Sequence, residues 1–188
     1  MNIFYLNNDP VVSAQMMVDR HVVKMVLETA QLLSTAHRIL DGEPWVDVSK
    51  TGRKVKRWRL INPNIDDLAI YQATHVNHPS AVWCRESYEN YNWLYKHFCG
   101  LMQEYTYRYD KTHKCAVMIP YLRNPPLNIP LLPFTDPPPA MDDKYIISEN
   151  SMINYQNYYK YGKVHLHKWS KRSPPDWIND GSIQERQT

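Results

Sequence analysis

The feature that most constrains the fold is a line of polar side chains on an otherwise apolar segment near the start of the chain. Five polar residues recur there at steps of three and four, which places them on one face of an α-helix: His21, Lys24, Glu28, Gln31 and Thr35. Most other positions from 18 to 40 are apolar, whereas a surface helix carries one apolar stripe and a broad polar face. We therefore predict a central helix from about Val11 to Leu40, with its polar line facing a cleft or a buried polar network.

The polar line has two interpretations. Lys24 and Glu28 can form an ion pair that satisfies itself inside a helical core, and such pairs also perturb pKa values. Alternatively, a carboxylate, an ammonium and an imidazole within two helical turns, between apolar walls, form a site for acid–base chemistry. The spacing by itself favours neither interpretation.

The rest of the chain predicts a mainly α fold, a single compact helical domain with long irregular proline-rich connections. We divide the 188 residues into an N-terminal segment with the central helix (1–44), a basic hairpin or arm (45–61), a helical region (62–118), a proline-rich wrap (119–147), and a last helix with a basic aromatic tail (148–188).

Turn signals mark the ends of the later helices. We predict a short helix from Ile65 to about His75, and a long helical segment that begins at Asn77-His78-Pro79 and ends near Tyr109. A last helix runs from Ser148 to Tyr161 and is ended by Gly162. Eight of the 14 prolines lie between residues 120 and 139, which excludes helix or central strand there. The apolar residues among them predict that this stretch is irregular but packed on the core.

Positive charge is concentrated in two segments. Residues 50–59 carry six bases and residues 160–172 carry five, and neither segment contains an acid. The rest of the chain has 11 bases against 19 acids, so the two basic segments stand out from an acidic remainder. Trp58, Tyr161 and Trp169 lie among these bases, and aromatic rings beside cations suit stacking on bases next to phosphates. Nucleic acid is therefore the predicted partner, although a solvated hairpin and a solvated tail would give the same composition.

Several other classes of protein and site are disfavoured. Three cysteines without CxxC spacing indicate a reduced chain, and neither a secretory signal nor a run of about 20 apolar residues is present, so we expect no membrane association and a cytoplasmic protein. Five glycines without a glycine-rich loop argue against nucleotide-binding motifs. His75 and His78 do not match zinc spacing, and Cys84 beside Trp83 is typical of a core cysteine. We predict no metal and no cofactor.

The sequence resembles the pyrimidine-dimer DNA glycosylase (endonuclease V) family of phages. Asp19-Arg20-His21, with Glu28 seven residues beyond the histidine, resembles the Asp-x-His…Glu arrangement of that family. The run 88–94 is similar to the family's second long helix, and the run 158–163 resembles its C-terminal aromatic and basic run that approaches DNA. These motifs occur in the family's order.

The resemblance implies a small helical DNA-repair enzyme, a DNA N-glycosylase with AP lyase activity on a damaged or modified pyrimidine in double-stranded DNA. In the family, the N-terminal α-amine attacks C1′ and forms a Schiff base, and a glutamate stabilises the cationic sugar. An α-amine suits this role because its ordinary pKa is about 8, against about 10.4 for lysine. The catalytic residues would be Met1, Glu28 and His21. Together with the basic segments, the resemblance gives nine DNA-binding candidates: Arg20, Lys24, Arg53, Arg57, Tyr158, Tyr159, Lys160, Tyr161 and Lys163. A phage-encoded protein of this kind would act in the host cytoplasm.

The chain also departs from the family. The family exposes a threonine by removing the initiator methionine, whereas Asn2 favours retention of Met1. More residues separate Met1 from Asp19, and residues 45–61 and the proline-rich stretch have no counterpart. Two alternatives therefore remain: a non-catalytic nucleic-acid-binding accessory protein, and an enzyme that acts on a free nucleotide. The position of the Met1 amine relative to Glu28 distinguishes the first alternative from a lyase. The sequence gives no oligomeric state.

Overall fold

The computed structural model of the chain describes residues 1–61 and 65–179. Within these residues the regular elements are α1 (Pro10–Gln15), α2 (Asp19–Asp41), β1 (Gly42–Val48), β2 (Lys54–Leu60), α3 (Pro79–Glu86), α4 (Tyr88–Tyr109), α5 (Ile119–Leu122), α6 (Ser151–Asn157) and α7 (Asp176–Asn179). Short 3₁₀ turns cover Lys114–Met118, Asp143–Tyr145 and Val164–Leu166, and one π-helical turn covers Tyr158–Gly162.

The prediction of a mainly α fold is wrong, because the chain contains a small antiparallel sheet and is mixed. The described residues are 51% helical, with 3₁₀ and π turns included, and 8% strand. The two strands pair from Gly42↔Leu60 to Val48↔Lys54. Side chains that alternate between two faces favour a strand over a helix, and Gly52, with a φ of 78°, supplies the left-handed residue of the connecting turn. The region predicted as a basic hairpin or arm therefore forms this hairpin.

The core is built around α2, which packs against α3, α4 and both strands. α1 lies across α4, and Gly100 permits this close crossing, because a Cβ at that position would lie 3.1 Å from the Cα of Val11. Within the described part of the chain, no helix is long and apolar enough to cross a membrane.

The predicted helix from Val11 to Leu40 is two helices, because the chain is extended at Val18. Side chains distant in sequence satisfy the backbone groups at this break. The Arg108 guanidinium donates to the carbonyls of Gln15 and Met17 (2.9 and 2.8 Å), and the Val18 amide donates to the Tyr159 hydroxyl (3.2 Å). Local sequence carries no signal for partners of this kind.

The predicted helix from Ile65 to His75 is absent, and that segment forms turns and irregular chain. The buried Arg38 side chain accounts for this conformation. Its guanidinium donates to the carbonyls of Asp67, Ile70 and Tyr71 and to the Asp67 carboxylate. It also donates to the carbonyl of Trp58 (2.7 Å). One arginine thus fixes both this segment and the base of the hairpin against α2.

The long helical segment begins at Pro79 and ends at Tyr109, as predicted, but it is divided at Ser87. Ser87 caps α4 by accepting from the amides of Glu89 and Asn90, and its hydroxyl donates to the carbonyl of Leu132 (2.6 Å). The division therefore fixes the proline-rich stretch beside the start of α4.

The proline-rich stretch is irregular apart from the short α5, and core side chains hold it in place. Trp83 Nε1 donates to the carbonyl of Thr135 (2.8 Å), and the Tyr155 hydroxyl donates to that of Pro138 (2.8 Å). The predicted last helix from Ser148 is shorter, because Asn150 caps α6, and Gly162 ends the π-helical turn that follows it.

Candidate active site

The start of the chain folds back onto the polar line of α2. The Asn2 amide donates a hydrogen bond to Glu28 Oε2 (3.2 Å). The Asn2 side chain holds the turn, since its Nδ2 donates to the carbonyl of Ala140 (2.8 Å) and its Oδ1 accepts from the amides of Ile3 and Phe4. One residue spans at most about 3.6 Å, so the α-nitrogen of Met1 lies within about 7 Å of the Glu28 carboxylate.

Glu28 is held by two donors on different parts of the chain. While Oε2 accepts from Asn2, Oε1 pairs with Lys24 Nζ at 3.1 Å. The Glu28 side chain is 14% exposed and that of Lys24 is 64% exposed. The polar line thus opens to solvent at Lys24 and becomes partly enclosed at Glu28, where the chain start covers it.

Thr35, the last residue of the polar line, binds the backbone of Thr74. Thr35 Oγ1 accepts from the amide of Thr74 (3.1 Å) and donates to its carbonyl (3.3 Å). These bonds place Thr74 beside α2, two turns beyond Glu28.

His78 lies near enough to Glu28 for their charges to interact, although its spacing from His75 suggested only a metal ligand. Burial lowers its pKa, the positive charges of the chain-start amine and of His75 lower it further, and Glu28 opposes them. The Nδ1 atom of His78 accepts from the amide of Ser80 at the start of α3, so its other nitrogen, Nε2, carries the proton in the neutral ring. Among the residues the structure describes, no group of three or more histidine, cysteine or acidic side chains could hold a metal.

His21 is buried and neutral. Its ring stacks on Phe4 with centroids 4.2 Å apart, and its Nδ1 lies 2.6 Å from the Tyr159 hydroxyl. Because this hydroxyl accepts from the Val18 amide, the arrangement that satisfies every partner has Tyr159 donating to Nδ1 and the histidine proton on Nε2. Burial lowers the pKa of His21 to about 3, and the charges of Lys163, Lys24 and His165 add to this. His21 can donate a hydrogen bond at neutral pH but cannot carry a positive charge there.

An unusual backbone conformation at Phe4 supports this packing. Phe4 has a φ of 53°, in the left-handed region that aromatic residues rarely adopt. Its ring stacks between His21 and Tyr158 (centroids 4.2 and 6.3 Å away). The turn that carries Asn2 to Glu28 is therefore fixed by aromatic contacts on both sides of Phe4.

The aromatic and basic run at 158–163 contributes to the site only in part. Lys163 Nζ lies 4.6 Å from the centre of the Tyr158 ring, and Lys160 Nζ lies 5.6 Å from that of Tyr161. Tyr159 was predicted to contact DNA, and this is corrected, because its ring is fully buried and its hydroxyl binds Val18 and His21.

The basic tail beyond this run is also partly neutralised. Lys171 pairs with Asp110 (2.8 Å), and Arg172 with Glu104 (2.9 Å). The bases near the polar line that remain available to a phosphate include the exposed Arg20, the half-buried Lys163 and the exposed His165. Lys24 is also exposed, but it pairs with Glu28.

Asp19, the first residue of the motif, anchors the tail. Its carboxylate accepts from Arg108 (2.9 Å) and from the amide and hydroxyl of Ser170 (2.8 and 2.7 Å). Burial by itself would raise the pKa of Asp19, but these hydrogen bonds from Ser170 and Arg108 hold it below its ordinary value. Asp19 therefore has a structural role, whereas His21 and Glu28, which follow it on α2, lie in the candidate site.

The two arginines predicted to bind DNA in residues 45–61 lie away from this site. Arg53 is exposed at the tip of the hairpin, and Arg57 Nε pairs with Asp47 Oδ2 (2.8 Å). Arg38, which holds the base of the hairpin, follows Glu28 by ten residues, or about 15 Å along α2. Arg53 and Arg57 are thus not part of the Glu28 site.

A cavity elsewhere in the molecule does not coincide with this cluster. It measures about 460 Å³ and lies between α4 and the segment 112–119, where Met102, Tyr107 and Ile119 line it. None of the predicted site residues lines it.

Comparison of the chain with protein-family models, with curated proteins and with solved structures finds no match in any of the three.

Proposed function

We propose that this protein is a DNA glycosylase with lyase activity that uses the α-amine at the start of its chain and the carboxylate of Glu28. The observation that carries the proposal is the hydrogen bond from the Asn2 amide to Glu28 Oε2 (3.2 Å). It keeps the α-nitrogen of Met1 within about 7 Å of the Glu28 carboxylate, at the partly enclosed end of the polar line. Within the described residues, no acidic side chain forms an ion pair with that amine, so the amine is available as a nucleophile.

The proposed reaction balances without a cofactor. The neutral amine attacks C1′ of a damaged or modified pyrimidine nucleoside, the C1′–N bond breaks, and the base leaves with the bonding pair and takes up a proton. The amine nitrogen loses a proton, and the sugar ring opens to a Schiff base. Removal of a C2′ proton then expels the 3′ phosphate by β-elimination, and water releases the enzyme.

Glu28 has two tasks in this scheme. Its negative charge stabilises the positive charge that develops at C1′ as the base departs, and its oxygens transfer protons between the amine and the sugar. The charges of the amine and of Glu28 both act on His78, and its lowered pKa favours a neutral ring that adds no positive charge to the site. His21 and Phe4 hold the chain start in position.

The surroundings of the site suit a phosphate backbone. Lys24, Lys163 and His165 lie close enough to His21 for their positive charges to act on it, and Arg20 is exposed on the first turn of α2. These side chains would hold the phosphates on either side of the nucleoside, which favours a polynucleotide over an uncharged ligand.

Borohydride trapping tests this proposal. The protein is incubated with duplexes that carry a thymine dimer or an abasic site, and borohydride reduces any Schiff base to a stable adduct. We expect an adduct with the unmodified protein. Glu28→Gln should lower the trapping rate by at least about 100-fold, the effect typical of losing an acid–base group, with less than a threefold change in DNA affinity.

Glu149→Gln is the matched control, since it makes the same substitution at an exposed carboxylate outside the site. We expect its trapping rate to equal that of the unmodified protein. A Glu28→Gln rate equal to that of the unmodified protein contradicts the assigned role of Glu28. No adduct on any damaged or abasic DNA contradicts the lyase and leaves the non-catalytic accessory protein as the better account.

A further inference from the structure

The hairpin formed by β1 and β2 has two chemically different faces. Residues directly opposite one another in an antiparallel pair point to the same side. The register therefore places Pro44, Val46, Val48, Lys54, Lys56 and Trp58 on one side, here called the lysine face. The other side, here called the paired face, carries Glu43, Trp45, Asp47, Val55, Arg57 and Arg59.

The charges of the paired face are matched within the hairpin. Arg57 binds Asp47 at 2.8 Å, and the Arg59 guanidinium lies 5.9 Å from the centre of the Trp45 ring. Glu43 is directly opposite Arg59 in the register. This face contains as many acids as bases and offers little net attraction to a polyanion.

The lysine face has two bases and no acid. Lys54 and Lys56 are exposed, and Lys56 Nζ lies 5.1 Å from the centre of the Trp58 ring. Val46 and Val48 beside them are 65% and 62% exposed. Two β-branched side chains left in solvent between lysines indicate a surface that contacts both charged and apolar groups of a partner.

We propose that the lysine face docks in the major groove of duplex DNA, to one side of the reacting nucleotide. This inference rests on the proposed function for the choice of DNA as the polyanion. A two-stranded β-ribbon fits the major groove, which is about 12 Å wide. Lys54 and Lys56 bind phosphates at its edges, while Val46 and Val48 contact apolar groups on its floor, such as thymine methyl groups.

The position of the hairpin fixes how far from the reacting nucleotide this contact begins. Trp58 is held by Arg38 (2.7 Å), about 15 Å from Glu28 along α2. At 3.4 Å for each base-pair step, this distance equals about four to five base pairs. For a duplex whose axis lies along α2, the lysine face therefore contacts DNA on one side only, beyond about the fourth base pair from the lesion.

Salt-dependent binding tests the lysine face with a Lys54→Ala/Lys56→Ala double variant. The probes are an undamaged 30-base-pair duplex and a single strand of the same length, measured by fluorescence anisotropy. Two lost phosphate contacts should weaken duplex binding by about tenfold near 100 mM salt and lower the salt slope by about two. Lys111→Ala/Lys114→Ala, which removes the same charge from two exposed positions beyond α4, should change neither quantity.

A second set of duplexes tests the geometry. An abasic site is placed either three or ten base pairs from the end of the duplex, first on its 5′ side and then on its 3′ side. Lengthening the duplex from three to ten base pairs should tighten binding of the unmodified protein on one of the two sides and not on the other. The double variant should not show this gain in affinity. Three results would overturn the proposal. The unmodified protein could gain the same affinity when the duplex is lengthened on either side, the double variant could lose as much affinity for the single strand as for the duplex, or its affinity and salt slope could be unchanged.

Separate measurements test the amine chemistry and the lysine face. Borohydride trapping on a short single-stranded abasic oligonucleotide does not involve the hairpin, so it tests the amine chemistry alone. If no adduct forms but the double variant binds duplex DNA more weakly, the proposed function is overturned and the role of the lysine face is supported. If an adduct forms but the double variant binds duplex DNA as well as the unmodified protein, the proposed function is supported and the role of the lysine face is overturned.

Discussion

Three histidine side chains, His21, His37 and His97, are buried in the protein and neutral. Burial lowers their pKa to about 3 for His21, about 4 for His37 and about 4 for His97. Each has a hydrogen-bond partner at one nitrogen: the Tyr159 hydroxyl for His21, the Tyr91 hydroxyl for His37 and the carbonyl of Pro10 for His97. These histidines serve packing and positioning, and their protonation is coupled to unfolding.

This coupling predicts acid sensitivity. Unfolded histidines titrate near pH 6.5, so between about pH 4 and 6.5 the unfolded chain binds protons that the folded chain does not. The stability that the histidines contribute is complete above pH 6.5 and is lost as the pH falls toward their folded pKa values. Three groups give a slope of about 4 kcal/mol per pH unit near pH 5, measured by urea unfolding at several pH values.

Single variants check the source of this slope. His97→Asn should reduce the slope by about one third, whereas His165→Gln, at an exposed position, should leave it unchanged. A stability that is constant between pH 5 and 7 would show that these histidines do not titrate as their burial requires.

At the scale of secondary-structure elements, capping residues and arginines determine where helices begin and end. Pro79 and Tyr109 were predictable as helix ends, because proline at the first turn and a change of pattern are local signals. The break at Val18 and the loss of helix at 65–75 were not predictable, because Arg108 and Arg38 bind the backbone there from distant positions. Long-range hydrogen bonds thus override local helix preference at both sites.

The network around Arg108 makes the attachment of the tail sensitive to one carboxylate. Asp19→Ala leaves the fully buried Arg108 without one of its anionic partners and removes both bonds to Ser170. We expect the free energy of unfolding to fall by about 3 kcal/mol, measured by urea denaturation, with faster proteolytic cleavage between residues 168 and 172.

Asp110→Asn is the matched control, since it removes the charge that pairs with Lys171 in the same tail, and asparagine tolerates the left-handed backbone at this position (φ 54°). The Asp110 side chain is 82% exposed, against 12% for Asp19, so the expected loss is no more than about 0.5 kcal/mol. Equal losses in the two variants would mean that the Asp19 network does not hold the tail.

At the scale of the whole molecule, the candidate site is assembled from distant parts of the chain. The chain start, the polar line of α2, residues 74–78 and the segment at 158–165 meet around Glu28 and His21. Sequence periodicity could place His21, Lys24 and Glu28 on one face, because that relation is local. It could not show that Asn2 binds Glu28 or that His78 lies nearby, because both depend on the packing of irregular segments.

Locating the bond that borohydride makes permanent shows directly which nitrogen of the protein is the nucleophile. Unmodified protein is reduced in the presence of an abasic duplex, digested with a protease, and analysed by mass spectrometry for the peptide that carries the sugar remnant. We expect a single adduct, on the α-nitrogen of Met1. An adduct on a lysine side chain such as Lys24 or Lys163, or no adduct at all, would contradict this expectation.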